Sequence, residues 1–348
     1  MERSQAQRSR DTCLVVMRRY GARLMLAMGL FGVMFAPSLA AASTWIVAPD
    51  GSGQMTSIQE TIDLAQDGDT IHIRAGHYVE DVTVHSKARL HIIGEGRDKV
   101  FIAGLNRVGT LHIGKWPYGA TDVHISGMTI QQHGGLGVGI FNGKGITLKD
   151  LRVNGLVFGQ QVMDVHIDNC EVGGSETTGL AFADSHVRLS GNIIRDNDHG
   201  VSVGGTSTVH LERNVMMRNL FEAVLVTDSG QATLLNNTLV NNGKGVTFRD
   251  KATGQVEGNI IAGAGVGITW PATQAVTIAH NGLHDNGAHY QRDGQPALSA
   301  VAREAFAGVY DPPQFVAPER GDYRLKASSP LLRIGRFAYL GALAPALE

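Results

Sequence analysis

Three groups of polar residues recur at spacings that could set them side by side. The first is an acidic column: Asn142, Asp164, Asp184, Gly205, Asp228 and Asp250, with Arg249 just before its last member. Stacked units would hold such carboxylates about 5 Å apart. Carboxylates that close bind a hard cation such as Ca²⁺ or shift each other's pKa, and Asp164 and Asp184 are candidate Ca²⁺ ligands. The second group is His199, Glu222 and Lys244. It lies six residues from the acidic column, about 20 Å along an extended strand, so the two are expected to form separate centres. The third is His124, Thr147, His166, Arg188 and His210, joined two residues on by Lys149, Asp168, Ser190 and Glu212. His166, Asp168, Arg188, His210 and Glu212 would make a compact patch able to bind a transition metal or to act as general acid and base. Each group also has a plainer reading: Asp closing a bend through an Asx turn, a surface ion pair of little energy, and a solvated face on which His simply recurs, as at His72, His91 and His112.

The elements that must carry these residues follow from a repeat. A short phrase ends on Asn192, Asn214, Asn237, Asn259 and Asn281, at steps of 22, 23, 22 and 22 residues. In phase runs a small-residue column: Gly137, Gly159, Gly179, Gly200, Ala223, Gly245 and Gly267. Alternating apolar residues follow each small residue and precede each Asn, as in Val187-Arg188-Leu189, and a third short apolar run follows each Asn. Period-two alternation over so few residues denotes half-buried strands. A period of this size denotes stacked units that bury a core only together. Three strands and three bends per unit predict an all-β, single-stranded right-handed parallel β-helix with about 22 residues per coil. Upstream the Asn column holds Met128, Leu151 and Cys170, so it faces inward, and its amides are expected to bond one another and neighbouring backbone.

Composition bounds the remainder. Residues 1–42 read as a secretory signal peptide behind a short upstream extension, with Met17 as an alternative start. A basic stretch precedes the apolar run Leu24 to Phe35, and Ala40-Ala41-Ala42 offers a cleavage site. The apolar run is too short to span a membrane, so a periplasmic or secreted chain is expected. Without that leader 24 basic residues face 30 acidic ones, which disfavours nucleic acid as a partner. Cys13 would leave with the leader, so Cys170 has no partner for an internal disulfide. Ser57-Ile58-Gln59-Glu60 is a capping-box pattern; a helix over 57–67 is expected to plug the N-terminal end with Ile58, Ile62 and Ala65. The β-helix with its cap is assigned to 43–287. Residues 288–348 lose the repeat and are expected to pack over the other end or along one side.

With these features the chain resembles the right-handed parallel β-helix proteins of the pectin-lyase-like superfamily, in its uncharacterised secreted branch. The repeat over 70–287 carries the likeness, as do the opening Val47-Ala48-Pro49-Asp50-Gly51-Ser52-Gly53 and the tail Gly321-Asp322-Tyr323-Arg324-Leu325. The resemblance implies a carbohydrate-active or carbohydrate-binding protein, with polysaccharide as partner. In pectate lyases of this fold carboxylates on one strand hold Ca²⁺ against the substrate while Arg or Lys takes the α-proton. By that resemblance Asp228, Asp250 and Arg249 are the candidate catalytic set of a lyase or epimerase on uronic-acid polymers. Pectin methylesterase activity is disfavoured because its Asp and Gln pairs have no counterpart. Polygalacturonase activity is disfavoured because Thr177-Thr178 stands where its acidic pair belongs. The alternatives are a non-catalytic polysaccharide- or surface-binding protein and a structural one. The coils are near minimal, only Lys115 to Ala120 suggests a longer loop, and no stack of exposed aromatics is evident.

Overall fold

The computed structural model describes residues 41–348 apart from 106–108, 294, 299–303 and 347–348, with the side chains at 133 and 134 also outside the description. Residues 1–40, which hold most of the expected leader and Cys13, lie outside it as well. The chain winds into a right-handed parallel β-helix of about 11 turns of about 22 residues. The first sheet has eleven parallel strands, from Thr44–Val47 to Val276–Ala279. The second is built from the short runs after the Asn column, such as Ile193–Arg195 and Val215–Met217. The third runs from Val82–Val84 through His199–Gly204 and Glu222–Val226 to Ala288–Arg292, so coiling continues past residue 287. Alternation sorts the side chains: Val187 and Leu189 turn inward while Arg188 faces out. Val165, Val187, Val209 and Ala232 then stack rung upon rung in one core.

Each corner between sheets turns on a residue in the left-handed region. Between the first and second sheets these are Asp150, Asn169, Gly191, Arg213, Asn236, Gly258 and His280, at φ from +50° to +72°. Between the second and third they include Asp196, Arg218, Asn241 and Gly263. Between the third and first they are Asn142, Gln161, Asp184, Gly205, Asp228 and Asp250. Asn, Asp and Gly tolerate this conformation best, which accounts for their regular return in the sequence.

An inward polar side chain follows each corner. Asn192, Asn214, Asn237, Asn259 and Asn281 are fully buried. The Nδ2 of each of the first four donates to the Oδ1 of the next Asn at 2.9–3.0 Å, and that Oδ1 also accepts the backbone N–H one coil below. The remaining amide hydrogen goes to a carbonyl, Leu189 O for Asn214. A second amide column, Asn197, Asn219 and Asn242, repeats the pattern at the next corner. At the third corner Ser207 Oγ accepts from Ser185 N. The second column falls five residues after Asn192, Asn214 and Asn237 of the first and was not anticipated from the sequence.

Both ends are covered. Helix α1 (Ile58–Leu64) buries Ile58, Thr61 and Ile62, and Ser57 Oγ accepts from Glu60 N. The exposed N–H groups of its first turn go not to Glu60 but to the carboxylate of Glu80, which accepts from Ile58 N, Gln59 N and Ser57 Oγ. Gln59 behaves as a surrogate strand: its amide accepts from Thr83 N and donates to Thr83 O on the edge strand of the third sheet, as an open edge requires. At the far end Leu298, Phe306 and Tyr310 pack onto the core beside Trp270 and Tyr290, with Trp270 turned inward. The chain then returns along the outside of the second sheet. There Tyr323 and Ala342 cover Val215, Met217 and Val240, and Leu325, Leu331 and Leu340 cover Ile260.

On the uncovered part of that sheet an alternating ion chain links the coils: Asp98, Arg152, Glu171, Arg195, Asp196 and Arg218, with contacts of 2.5–3.1 Å. Burial pushes the Glu171 carboxyl up, and hydrogen bonds from Arg195 and Arg152 more than reverse this, leaving it below the usual range. The Arg218 hydrogen bond lowers Asp196 against its own burial, with help from Arg195.

Two outcomes follow. Asn237→Ala strands the partners of a buried amide on both sides and should cost about 3 kcal/mol, at about 1–3 per unpaired buried group, read as a lower urea midpoint with unchanged slope. Glu171 has a folded-state pKa below its unfolded one, so its stabilisation is complete above the ordinary carboxylate range and is lost as pH falls through the depressed value. Glu171→Gln should therefore cost ~1 kcal/mol of stability near neutral pH given partial exposure, read as a lower melting temperature, and reduce the loss of stability on acidification. A melting curve for Glu171→Gln that overlays wild type at every pH would show the chain to be without energetic weight.

Candidate functional site

One cleft opens on the third sheet at its N-terminal end. It measures about 740 Å³ and is lined by Gln59, Asp63, Asp81, His85, His112, Lys115, Trp116 and Phe141 among others. The loop carrying Lys115 and Trp116 leaves the coil at Gly114 and rejoins it at Gly119. A Cβ at either glycine would stand 2.0 Å from a backbone oxygen of the next coil, Phe141 O or Asn142 O. That close approach pins the loop's two roots while its tip projects: Trp116 is 71% and Tyr118 62% exposed. Phe141 lies between His112, stacked at 6.2 Å, and Phe158, edge-on at 6.0 Å. A further 250 Å³ recess shares Trp116 and Phe141 and adds Asn142, Gln160 and Gln161. Trp116 and Phe141 come from a loop and from a following coil, so stacking brings them to one cleft although their spacing in the chain is irregular.

A second cleft of about 450 Å³ lies further along the same sheet. His199, Glu222 and Lys244 occupy consecutive rungs. Glu222 is nearly inaccessible, its side chain 4% exposed, and three bases close on it: His199 Nδ1 at 3.0 Å, Arg249 Nη2 at 3.2 Å and Lys244 Nζ at 3.5 Å. Phe221 packs on the His199 ring at 5.1 Å. Arg249, expected to serve the acidic column, belongs to this group instead. The long Glu222 and Arg249 side chains meet across rungs, while the Asp column stays apart from the group.

The acidic column is differently occupied. Asp228 accepts from Gly205 N at 2.9 Å and Asp250 from Asp228 N at 3.2 Å, while Asp184 accepts from Thr206 N and Oγ1. These carboxylates cap the backbone of adjacent coils, and the hydrogen bonds from Thr206 hold Asp184 below the usual carboxylate range. Asp164 is not in the column: Gln160 pairs with Ala183, so Gln161 is the neighbour of Asp184. Likewise Gly159 pairs with Phe182, and Leu156 takes the small-residue position. Asp164 turns instead to His166 Nε2 at 3.2 Å. Asp164 and Asp184 therefore do not stand on one column.

The first-sheet patch forms in register. Thr147, His166, Arg188 and His210 stack on one column, and Lys149, Asp168, Ser190 and Glu212 on the next. His210 lies 3.6 Å from Glu212. Arg188 stands between His166 and His210, which are then two rungs, about 9.6 Å, apart. Among the described residues no three His, Cys, Asp or Glu side chains gather as metal ligands. On the same sheet His91 and His124 stack at 4.9 Å with planes 7° apart, and burial, then His91, push His124 below its usual pKa.

Comparison with known proteins accords with this architecture. A pectinesterase family model matches residues 44–132. Solved structures of similar fold include a pectate lyase (13% identity, 87% of this chain and 96% of that one, TM-score 0.47). Others are a mannuronan C-5 epimerase A-module from Azotobacter vinelandii (14%, 68% and 76%, 0.41) and a capsular polysaccharide depolymerase tailspike from Acinetobacter baumannii bacteriophage Fri1 (12%, 77% and 65%, 0.41). No curated protein matches the chain. The model of the family described as periplasmic copper-binding protein (NosD) matches residues 119–297, more than half of the sequence, and the chain belongs to that family.

Proposed function

We propose that this is an exported, carbohydrate-binding β-helix that lays an acidic polysaccharide along its third sheet. The exposed Trp116, which lines one cleft with the half-buried Phe141 and with Lys115, carries the reading. Aromatic faces offer sugar rings a flat apolar platform with little side-chain entropy to lose. An open groove on a rigid sheet suits an extended polymer better than a small molecule. The periplasmic description of the family accords with export, and among the described residues no helix is long and apolar enough to cross a membrane.

Binding is favoured over the lyase or epimerase reading by how the structure uses Asp228, Asp250 and Arg249. The first two carboxylates are engaged by backbone N–H groups and the guanidinium by Glu222. The copper in the family's description calls for thiolate, thioether or imidazole donors that converge. Among the described residues no three His, Cys, Asp or Glu side chains gather as such a set. Burial pushes the Cys170 thiol up to about 12, and His91 and His124 stack face to face.

The test is retention on alginate, pectate and a neutral glucan, with ultraviolet absorbance of the polymer monitored for unsaturated ends, with and without Ca²⁺. Wild type should bind an acidic polymer without a rise in absorbance. Trp116→Ala should weaken binding about tenfold, or ~1.4 kcal/mol, at unchanged melting temperature. Retention of Trp116→Ala equal to wild type would refute the cleft. A rise in absorbance abolished by Asp228→Ala would restore the lyase reading.

A further inference from the structure

The Glu222 cleft has a charge arrangement that its structural role leaves unexplained. One buried carboxylate could be neutralised by one base; here three stand within 3.5 Å, His199 from the coil on one side and Lys244 and Arg249 from the coil on the other. Lys244 and Arg249 share a single oxygen, Oε1, while His199 takes Oε2. Half of the Arg249 side chain and 43% of that of Lys244 remain exposed, so each retains donors directed to solvent. Between them in sequence Thr247 is buried, 2% exposed, and its hydroxyl has no hydrogen-bond partner. The rim is apolar: Leu220 is 64% and Phe221 49% exposed, and both line the cleft. Lone surface bases need no apolar wall, and a purely structural ion pair needs no surplus charge.

We infer that this cleft is a subsite for a carboxylate-bearing sugar ring, a uronate. Its carboxylate would dock on Arg249 and Lys244 while its apolar ring face lies on Phe221 and Leu220. Glu222 is then a positioning residue: it holds the two long side chains in place before the ligand arrives, which reduces the entropy lost on binding. A planar guanidinium is suited to grip a carboxylate through two parallel hydrogen bonds. The inference deepens the polysaccharide reading and rests on it for ligand class. The two clefts are about five rungs apart along the third sheet, counted from 111–113 to 222–226, or roughly 24 Å. One polymer could therefore span both, yet each can be probed alone.

The experiment follows the His199 side-chain resonances of the full chain by NMR. The titrants are a galacturonate trimer, the neutral galactose trimer and inorganic phosphate. The uronate should shift His199, with the neutral trimer at least tenfold weaker, and the shift should persist in Trp116→Ala, which separates this site from the first cleft. Arg249→Met and Lys244→Met, which keep length and remove charge, should each weaken the uronate about tenfold. A His199 signal unmoved by the uronate overturns the inference, whatever the polymer assay gives. Phosphate binding as tight as the uronate overturns it too, since the cleft would then be a general anion site. Arg249→Met with wild-type affinity, at wild-type melting temperature, removes its central contact.

Discussion

Everything in this molecule depends on the corners. A strand in a stack is satisfied by its neighbours, but a bend inside a solenoid would bury N–H and C=O groups with nothing to bond. The solution is the same at all three corners: a left-handed residue turns the chain, and a nearby side chain reaches inward to the coil below. The amide suits this task because it donates and accepts together, so a column of amides closes on itself with no spare valence. Apolar stacking supplies most of the driving force. The corners decide that stacking occurs in one register and no other.

That rigidity defines what the surface can offer. Residues on one rung address the next at a fixed spacing, so a site is assembled by choosing side chains on successive coils, without a dedicated loop. The Glu222 cluster is made this way from strands alone. The Trp116 cleft is made by one loop held between two tight glycine contacts, with the capping helix forming its opposite wall. Both sites share the third sheet. The second sheet is occupied by an ion chain and by the returning tail, and the first presents a polar face without a gathered ligand set.

The period of the Asn column makes the fold legible in the sequence, because an inward amide that returns every 22 residues requires coils stacked in register. The inward strands, the capping helix and the inward Trp270 follow from simple alternation. The acidic column is legible as a pattern but not as a role. Asp is chosen there both for its tolerance of a left-handed bend and for its ability to cap backbone, and a sequence shows neither. The misplacement of Asp164 and Gly159 has one cause: upstream coils are slightly irregular, and counting from a glycine slips where Leu156 fills that position. Glu222 stands out in the sequence but seems remote from Arg249, because reach along the backbone says little about where two long side chains meet. The aromatic cleft leaves no periodic trace at all.

The returning tail has a mechanical consequence. A solenoid whose units touch only their neighbours unravels piecemeal from an end, each coil melting nearly independently of distant ones. Here Tyr323, Ala342, Leu331 and Leu340 lie across coils that begin near residue 215 and continue past 260, and Ala342 N donates to Thr238 Oγ1 from 104 positions away. Such a clasp ties several rungs into one cooperative block. The coils it spans are thereby coupled to one another beyond their nearest-neighbour contacts.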